Sequence, residues 1–399
     1  MTSTSCSDIA RELLARAIDG NPPAGLPREL LEDSCGQALF GILAEGLADR
    51  FEPALCDIYA DLFARAIPGA DPARYRRIRT PRPVGFEPRT VVVLSRVTLG
   101  ADVAVTSVLL DAAKRRFPRA QIVFAGPSKN YELFAADPRI AHAPVSYRRG
   151  TLADRLAVRH DLESLAAPPD ALVIDSDSRL TQLGLLPICS EDRYHLFESR
   201  AYGGASHASL PPLAAAWAEE TFGIAGAKPY LALAGEPAHR GVIAVSLGVG
   251  ENPGKRIADP FEENLLALLA ESGAEICIDK GAGGEEADRV QRAVSRSGIR
   301  ATFWEGSFAG FAAIIAAARL YAGYDSAGQH VAAAAGVPLI SIFAGFPTLR
   351  MFHRWRPQGN VIRVDNPNPV EVLAHVRAVV SGSPRPTEDV CRPSRIESA

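Results

Sequence analysis

Asp325, Ser326, Gly328 and His330 fall within one stretch, GYDSAGQHVAAAAG at residues 323–336, where a strand-like run meets a helix of small residues. Asp325 or Ser326 is placed to cap that helix. The free backbone N–H groups of Ala327 and Gly328 are then open to close approach, which makes an anion site. SLGVGENPGKRIADPF at 246–261 adds a second feature of the same kind. Gly248, Gly250 and Gly254 form a loop whose amides suit a phosphate, with Lys255 and Arg256 beside it. Neither GxxxxGK[ST] nor a strict GxGxxG is matched. Two phosphate-suited features in one half imply a diphosphate ligand, and Glu285 in GAGGEEADR, 281–289, is placed to accept from ribose hydroxyls.

The other half holds RVTLGADVAVTS at 96–107, where Gly100 permits a sharp turn and Asp102 stands at a helix start. A carboxylate there can serve as general base toward an acceptor hydroxyl; helix capping explains it equally. Thr98, Gly100, Asp175, Asp177 and Arg179 (VIDSDSRLTQ, 173–182) and His207 complete the candidate acceptor set.

The elements that position these residues follow two repeats of one rhythm. Residues 1–85 read as a helical extension, amphipathic helices with Pro and Gly breaks running into an Arg- and Pro-rich linker whose five arginines from Arg74 to Arg82 read as a solvated run. From Thr90 the β-branched TVVVL opens an alternation of strand, glycine turn and helix that restarts at Gly241. That order predicts α/β architecture: two doubly wound, Rossmann-like domains facing each other across a cleft. Their spans are 86–235 for the acceptor and 236–385 for the donor, with a tail at 386–399 and ligands at the carboxyl ends of the strands.

A chain of 399 residues suits two domains, because single cores seldom grow beyond about 250 residues. Net charge −3 supplies no bulk attraction to nucleic acid or anionic membrane. The scattered cysteines at 6, 35, 56, 189, 277 and 391 lack metal spacing and read as reduced, incidental thiols of a cytoplasmic protein. The N-terminus lacks a secretory pattern, and the uncharged run at 331–345 is broken by Gly-Val-Pro and too short to span a bilayer.

LSRVTLGADVAVTSVLLDAAKRRFPRAQIVFAG, SLGVGENPGKRIADPFEENLLALL and AGYDSAGQHVAAAAGVPLISIFAG together resemble the heptosyltransferase-like enzymes of glycosyltransferase family 9, of the GT-B fold, over roughly residues 88–380. The resemblance implies inverting, metal-independent transfer of a sugar from a nucleoside-diphosphate sugar, with no cofactor beyond that co-substrate. The acceptor would be a hydroxyl on a glycan, glycolipid or small molecule. Asp102 would be the base and Lys255 the donor-phosphate lysine. Ser326, Ala327 and Gly328 would hold the pyrophosphate, Asp325 and His330 would flank it, and Glu285 would meet the ribose.

Two departures stand out. Leu99-Gly100-Ala101-Asp102 carries one residue more than the family's Leu-Gly-Asp, about 100° of rotation on a helix. Lys255-Arg256-Ile257 lacks the aromatic of the family's Lys-x-Trp. A nucleotide-binding scaffold that has lost catalysis, or an epimerase of the same fold, would keep the donor features. The N-terminal helices would cap the acceptor domain, form a homo-oligomer or dock a protein partner.

Overall fold

The computed structural model describes residues 5–250, 252–281, 283–365 and 368–381; the tail at 386–399 and Cys391 lie outside them. The chain divides into two compact units, 1–234 with 347–355, and 235–346 with 356 onward.

The first unit is built on five parallel strands, β1 (Thr90–Leu94), β2 (Gln121–Gly126), β3 (Ile140–Pro144), β4 (Ala171–Asp175) and β5 (Tyr194–Leu196), in the order β3-β2-β1-β4-β5. Val92 of β1 lies in register with Val123 and Val173. Its apolar run is continuous because helices cover both faces of a parallel sheet. Order reverses between β1 and β4, which opens a crevice at their carboxyl ends.

The helices Cys6–Ile18, Pro53–Phe63 and Pro72–Ile78 and the π-helical segment Ala38–Ala44 are not a separate body. Leu13, Leu39, Phe63 and Ile78 share one core with Val92, Leu94, Val173 and Leu196. The arginine run is likewise no bare linker: Arg74 is buried, and the exposed Arg76 and Arg77 have partners. Arg76 pairs with Asp61 at 2.8 Å and Arg77 with Glu191 at 2.7 Å, while Arg82 donates to the Tyr194 carbonyl at 2.8 Å. Pro72 at the helix start, with Asp71 capping the Ala73 and Arg74 N–H groups, turns the run into a helix docked on β5.

Cys6 and Cys35 form a disulfide, correcting the expectation of reduced thiols for that pair. Packing of the first helix on the segment that follows Cys35 brings the two Cα atoms to 5.5 Å, within bonding range. Spacing of 29 residues gave no sign of it.

The second unit holds six parallel strands, β6 (Ile243–Ser246), β7 (Ile276–Asp279), β8 (Ala301–Trp304), β9 (Leu320–Tyr324), β10 (Leu339–Ala344) and β11 (Asn360–Val364), ordered β11-β10-β9-β6-β7-β8. Its reversal lies between β6 and β9. Gly323 of β9 permits that pairing, because a Cβ there would strike the Ser246 carbonyl. Among the described residues no helix is long and apolar enough to cross a membrane.

Candidate functional site: two crevices at strand reversals

The second unit gathers its chemistry where β6 and β9 end. Ser326 holds the N-cap position of helix Ala327–Ala334, yet its side chain makes no capping bond, and its hydroxyl lies 3.3 Å from that of Tyr321. The first-turn amides therefore remain uncapped by a side chain. Lys255 reaches this helix start from the opposite loop, with Nζ 2.8 Å from the Asp325 carboxylate and 3.1 Å from its carbonyl. The loop holds it by a 3₁₀ turn, Pro253–Lys255, in which the Asn252 side chain accepts from the Gly254 N–H at 3.0 Å and donates to the Gly345 carbonyl at 3.3 Å. Gly345, at φ +67°, leaves no room for a side chain beside the Gly254 carbonyl.

Asp325 also accepts from Gln329, whose amide oxygen takes the Ser341 hydroxyl. His330 is buried beside them, and desolvation drives it down to about 4. At neutral pH it is an uncharged imidazole that can donate a hydrogen bond but adds no charge. Gly328 is required by packing, since a Cβ there would lie 2.6 Å from the Tyr321 Cε2 of a fully buried ring. Gly328→Ala is expected to cost about 1–3 kcal/mol in thermal unfolding, by overpacking.

Arg256 is engaged by Asp259 and by Glu262 at 3.2 Å, and Arg289 joins the same carboxylate. Glu285 is exposed. Its neighbour Glu286 lies against the glycine loop, where a Cβ on Gly248 would stand 3.2 Å from its Oε1. Gly250 is exposed at φ +59°.

In the first unit Asp102 is 0% exposed and accepts from the Ser95 hydroxyl (2.6 Å), the Arg96 N–H (2.7 Å), the Thr106 hydroxyl (2.6 Å) and the Asn130 amide (2.6 Å). Burial pushes its pKa up and these bonds pull it back. The extra residue of Leu-Gly-Ala-Asp precedes a π-helical turn, Asp102–Thr106, the form a helix takes when it absorbs one residue. A carboxylate enclosed by four donors ties β1 to the helix and offers no open lone pair in this arrangement. Gly100 lies within this helix start. Asp175 is also buried, accepting from the Ser178 N–H at 2.7 Å and from the Thr181 and Tyr194 hydroxyls. It holds its loop together and is not free for an acceptor. His207 is exposed, with its ring 4.6 Å from that of His353.

Thr98, Asp177 and Arg179 do meet, in a pocket at the β1–β4 reversal. Spacing gave no warning of its other members: Arg96, Arg155, Arg200 and Trp355, and Phe40, Glu45, Asp49 and Tyr59 from the N-terminal helices. Asp177 takes Arg200 at 3.0 Å and the Ser199 hydroxyl at 2.7 Å, with Arg96 at 3.7 Å. Among the described residues, the non-glycine residues with positive φ are Phe51, Val97, Asp177, Gln182 and Leu183. Four of them line this pocket, and Val97 lies between Arg96 and Thr98, which also line it. Such residues carry about 1–3 kcal/mol of strain each and concentrate where function needs a fixed geometry.

Two parallel-sheet Rossmann-like units, each with a polar crevice at its strand reversal, define the GT-B class of glycosyltransferase folds. Residues 221–377 match the model of glycosyltransferase family 9 (heptosyltransferase). E. coli heptosyltransferase WaaC, solved with ADP, is 18% identical with TM-score 0.55, over 73% of this chain and 99% of that one. E. coli ADP-heptose lipopolysaccharide heptosyltransferase II (18%, TM-score 0.51) matches over 73% and 99%, and a family 9 glycosyl transferase from Veillonella parvula (13%, 0.52) over 77% and 92%. No curated protein sequence matches the chain. The family match and the fold support a glycosyltransferase, as the sequence resemblance implied.

Proposed function

We propose that the protein transfers a sugar from a nucleoside-diphosphate sugar to an acceptor hydroxyl, with inversion and without a metal. The observation that carries the donor half is Lys255 Nζ, 2.8 Å from Asp325 at the start of helix Ala327–Ala334. Charge developing on a departing diphosphate would meet the ammonium and the uncapped amides of Ser326, Ala327 and Gly328, which stabilise an anion without a cation cofactor. Neutral His330 and the Asp325–Gln329–Ser341 chain hold that helix start in place. Glu286, beside Gly248 of the glycine loop, would meet the ribose hydroxyls. The ADP in the WaaC structure fits a nucleotide of this class.

The test is thermal stability against ADP, GDP, UDP, CDP and dTDP at matched concentration. One of them, at about 100 times its Kd, is expected to add about 2.7 kcal/mol, and Lys255→Ala is expected to remove most of that gain. Stabilisation by none, or an unchanged response in Lys255→Ala, overturns the donor site. Asp102, enclosed by four donors, favours a second reading in which nucleotide binds but no sugar is transferred.

A further inference from the structure

The pocket at the β1–β4 reversal sets four guanidiniums, Arg96, Arg155, Arg179 and Arg200, against three carboxylates, Glu45, Asp49 and Asp177. Two of the carboxylates are committed: Asp177 to Arg200 and Arg96, and Glu45 to Arg179 at 3.0 Å. Arg155 is 7% exposed and has no carboxylate partner among the described residues; it is held by the Tyr147 hydroxyl at 2.6 Å and lies 3.7 Å over the Phe40 ring. Nη1 of Arg200, itself 3% exposed, is buried without a hydrogen-bond partner among the described residues. Positive charge is left over in a partly desolvated crevice, and that suits an oxyanion.

Asp49 closes the short helix Glu45–Ala48 and is the pocket carboxylate to which no side chain donates among the described residues. We propose that the N-terminal helical segment completes the acceptor site: Asp49 takes the proton of the acceptor hydroxyl, and Arg155 and Arg179 hold an anionic group, phosphate or carboxylate, on the same acceptor. This rests on the transferase reading. The acceptor oxygen bonds to the donor's anomeric carbon as its O–H proton passes to Asp49, and the bond to the diphosphate oxygen breaks with its electron pair leaving on the nucleotide. The strained Phe51, Val97, Asp177, Gln182 and Leu183 fix the walls.

Burial raises Asp49 to about 6. Arg179, Arg200 and Arg96 oppose the shift and Glu45 adds to it, with Arg155 and Asp177 the other charged groups of the pocket. That value suits a base working near neutral pH. The folded state holds this proton more tightly than the unfolded chain, so stability falls as pH rises from about 4 to about 6. Asp49→Asn is expected to lack that fall and to melt above wild type at pH 8.

Calorimetry of the full chain with glucose 6-phosphate, glucuronate and glucose distinguishes the two anionic groups. One anionic probe is expected to bind at a single site at least tenfold tighter than glucose. Arg155→Gln and the more exposed Arg179→Gln should each lose that preference, and Lys255→Ala should keep it. No preference over glucose, or one lost only in Lys255→Ala, overturns the pocket. The bound probe is then tested for sugar transfer from the stabilising nucleotide's sugar donor. Asp49→Asn should bind the probe and nucleotide as wild type does but transfer at least a hundredfold more slowly at pH 7.5, without the wild type's rise through pH 6. Wild-type transfer in Asp49→Asn, or a bound probe that wild type never glycosylates, overturns the acceptor assignment. Failure of nucleotide binding alone would remove the transferase reading and leave the anion pocket standing.

Discussion

Asp102→Ala is expected to lower the free energy of unfolding of the first unit by about 3–5 kcal/mol, the range for breaking a buried, multiply bonded charge. The carboxylate is fully buried and receives four donors, each at 2.6–2.7 Å. Its removal orphans the Arg96 N–H and the Asn130 amide, which cannot rotate to other acceptors; the Ser95 and Thr106 hydroxyls partly can. Asn130 is already poorly satisfied, because its Oδ1 is buried without a partner among the described residues. Asp102→Asn keeps the volume but turns an NH₂ toward a ring of donors, so it should recover only part of the loss. Urea denaturation followed at Trp217 and Trp355, both in this unit, reads the effect. A loss under about 1 kcal/mol, together with abolished transfer, would return Asp102 to the catalytic role that its motif suggested.

What the sequence showed of the fold was its rhythm. TVVVL, QIVFAG, ALVID and LISIFA are near-continuous apolar runs because parallel strands are buried on both faces, and such runs announce themselves. β5 has three residues and β11 is only half-buried over its first four, so neither carries a buried run long enough to detect. The donor crevice was legible for a related reason: Asp325, Ser326 and Gly328 are neighbours in sequence, and Lys255 belongs to one glycine loop. Glu285 and Glu286 differ by about 100° of helix phase, which spacing alone does not fix. The acceptor pocket was illegible because its charges come from separate segments, with Asp49, Arg96, Arg155 and Arg200 related by no motif. They meet only once Phe63, Ile78 and their neighbours pack on the sheet. The enclosure of Asp102 was not legible either, because its partner Asn130 lies beyond β2 and no local pattern reports it.

The Asp177 cluster should be the pocket's most sensitive point. Although burial opposes it, the Arg200 and Arg96 guanidiniums hold the Asp177 carboxyl below the usual carboxylate range. Asp177→Ala leaves Arg200, 3% exposed, with Glu198 at 3.8 Å as its nearest remaining acid, and should cost about 3–5 kcal/mol. A depressed pKa contributes stability above the unfolded value near 4 and loses it as pH falls through the folded value, so wild type should weaken below about pH 4 along a limb that Asp177→Ala lacks. The double variant Asp177→Ala with Arg200→Met separates a charge left alone from the worth of the pair. Removing both charges should restore much of the loss, because a buried pair exchanged for apolar groups is often close to neutral. A double variant no more stable than Asp177→Ala would instead place the cost in the left-handed backbone at Asp177, φ +68°, which alanine tolerates less well than aspartate. In either case the pocket loses its arginine geometry, so binding of an anionic probe should fall in the single variant and stay low in the double, which lacks the Arg200 guanidinium.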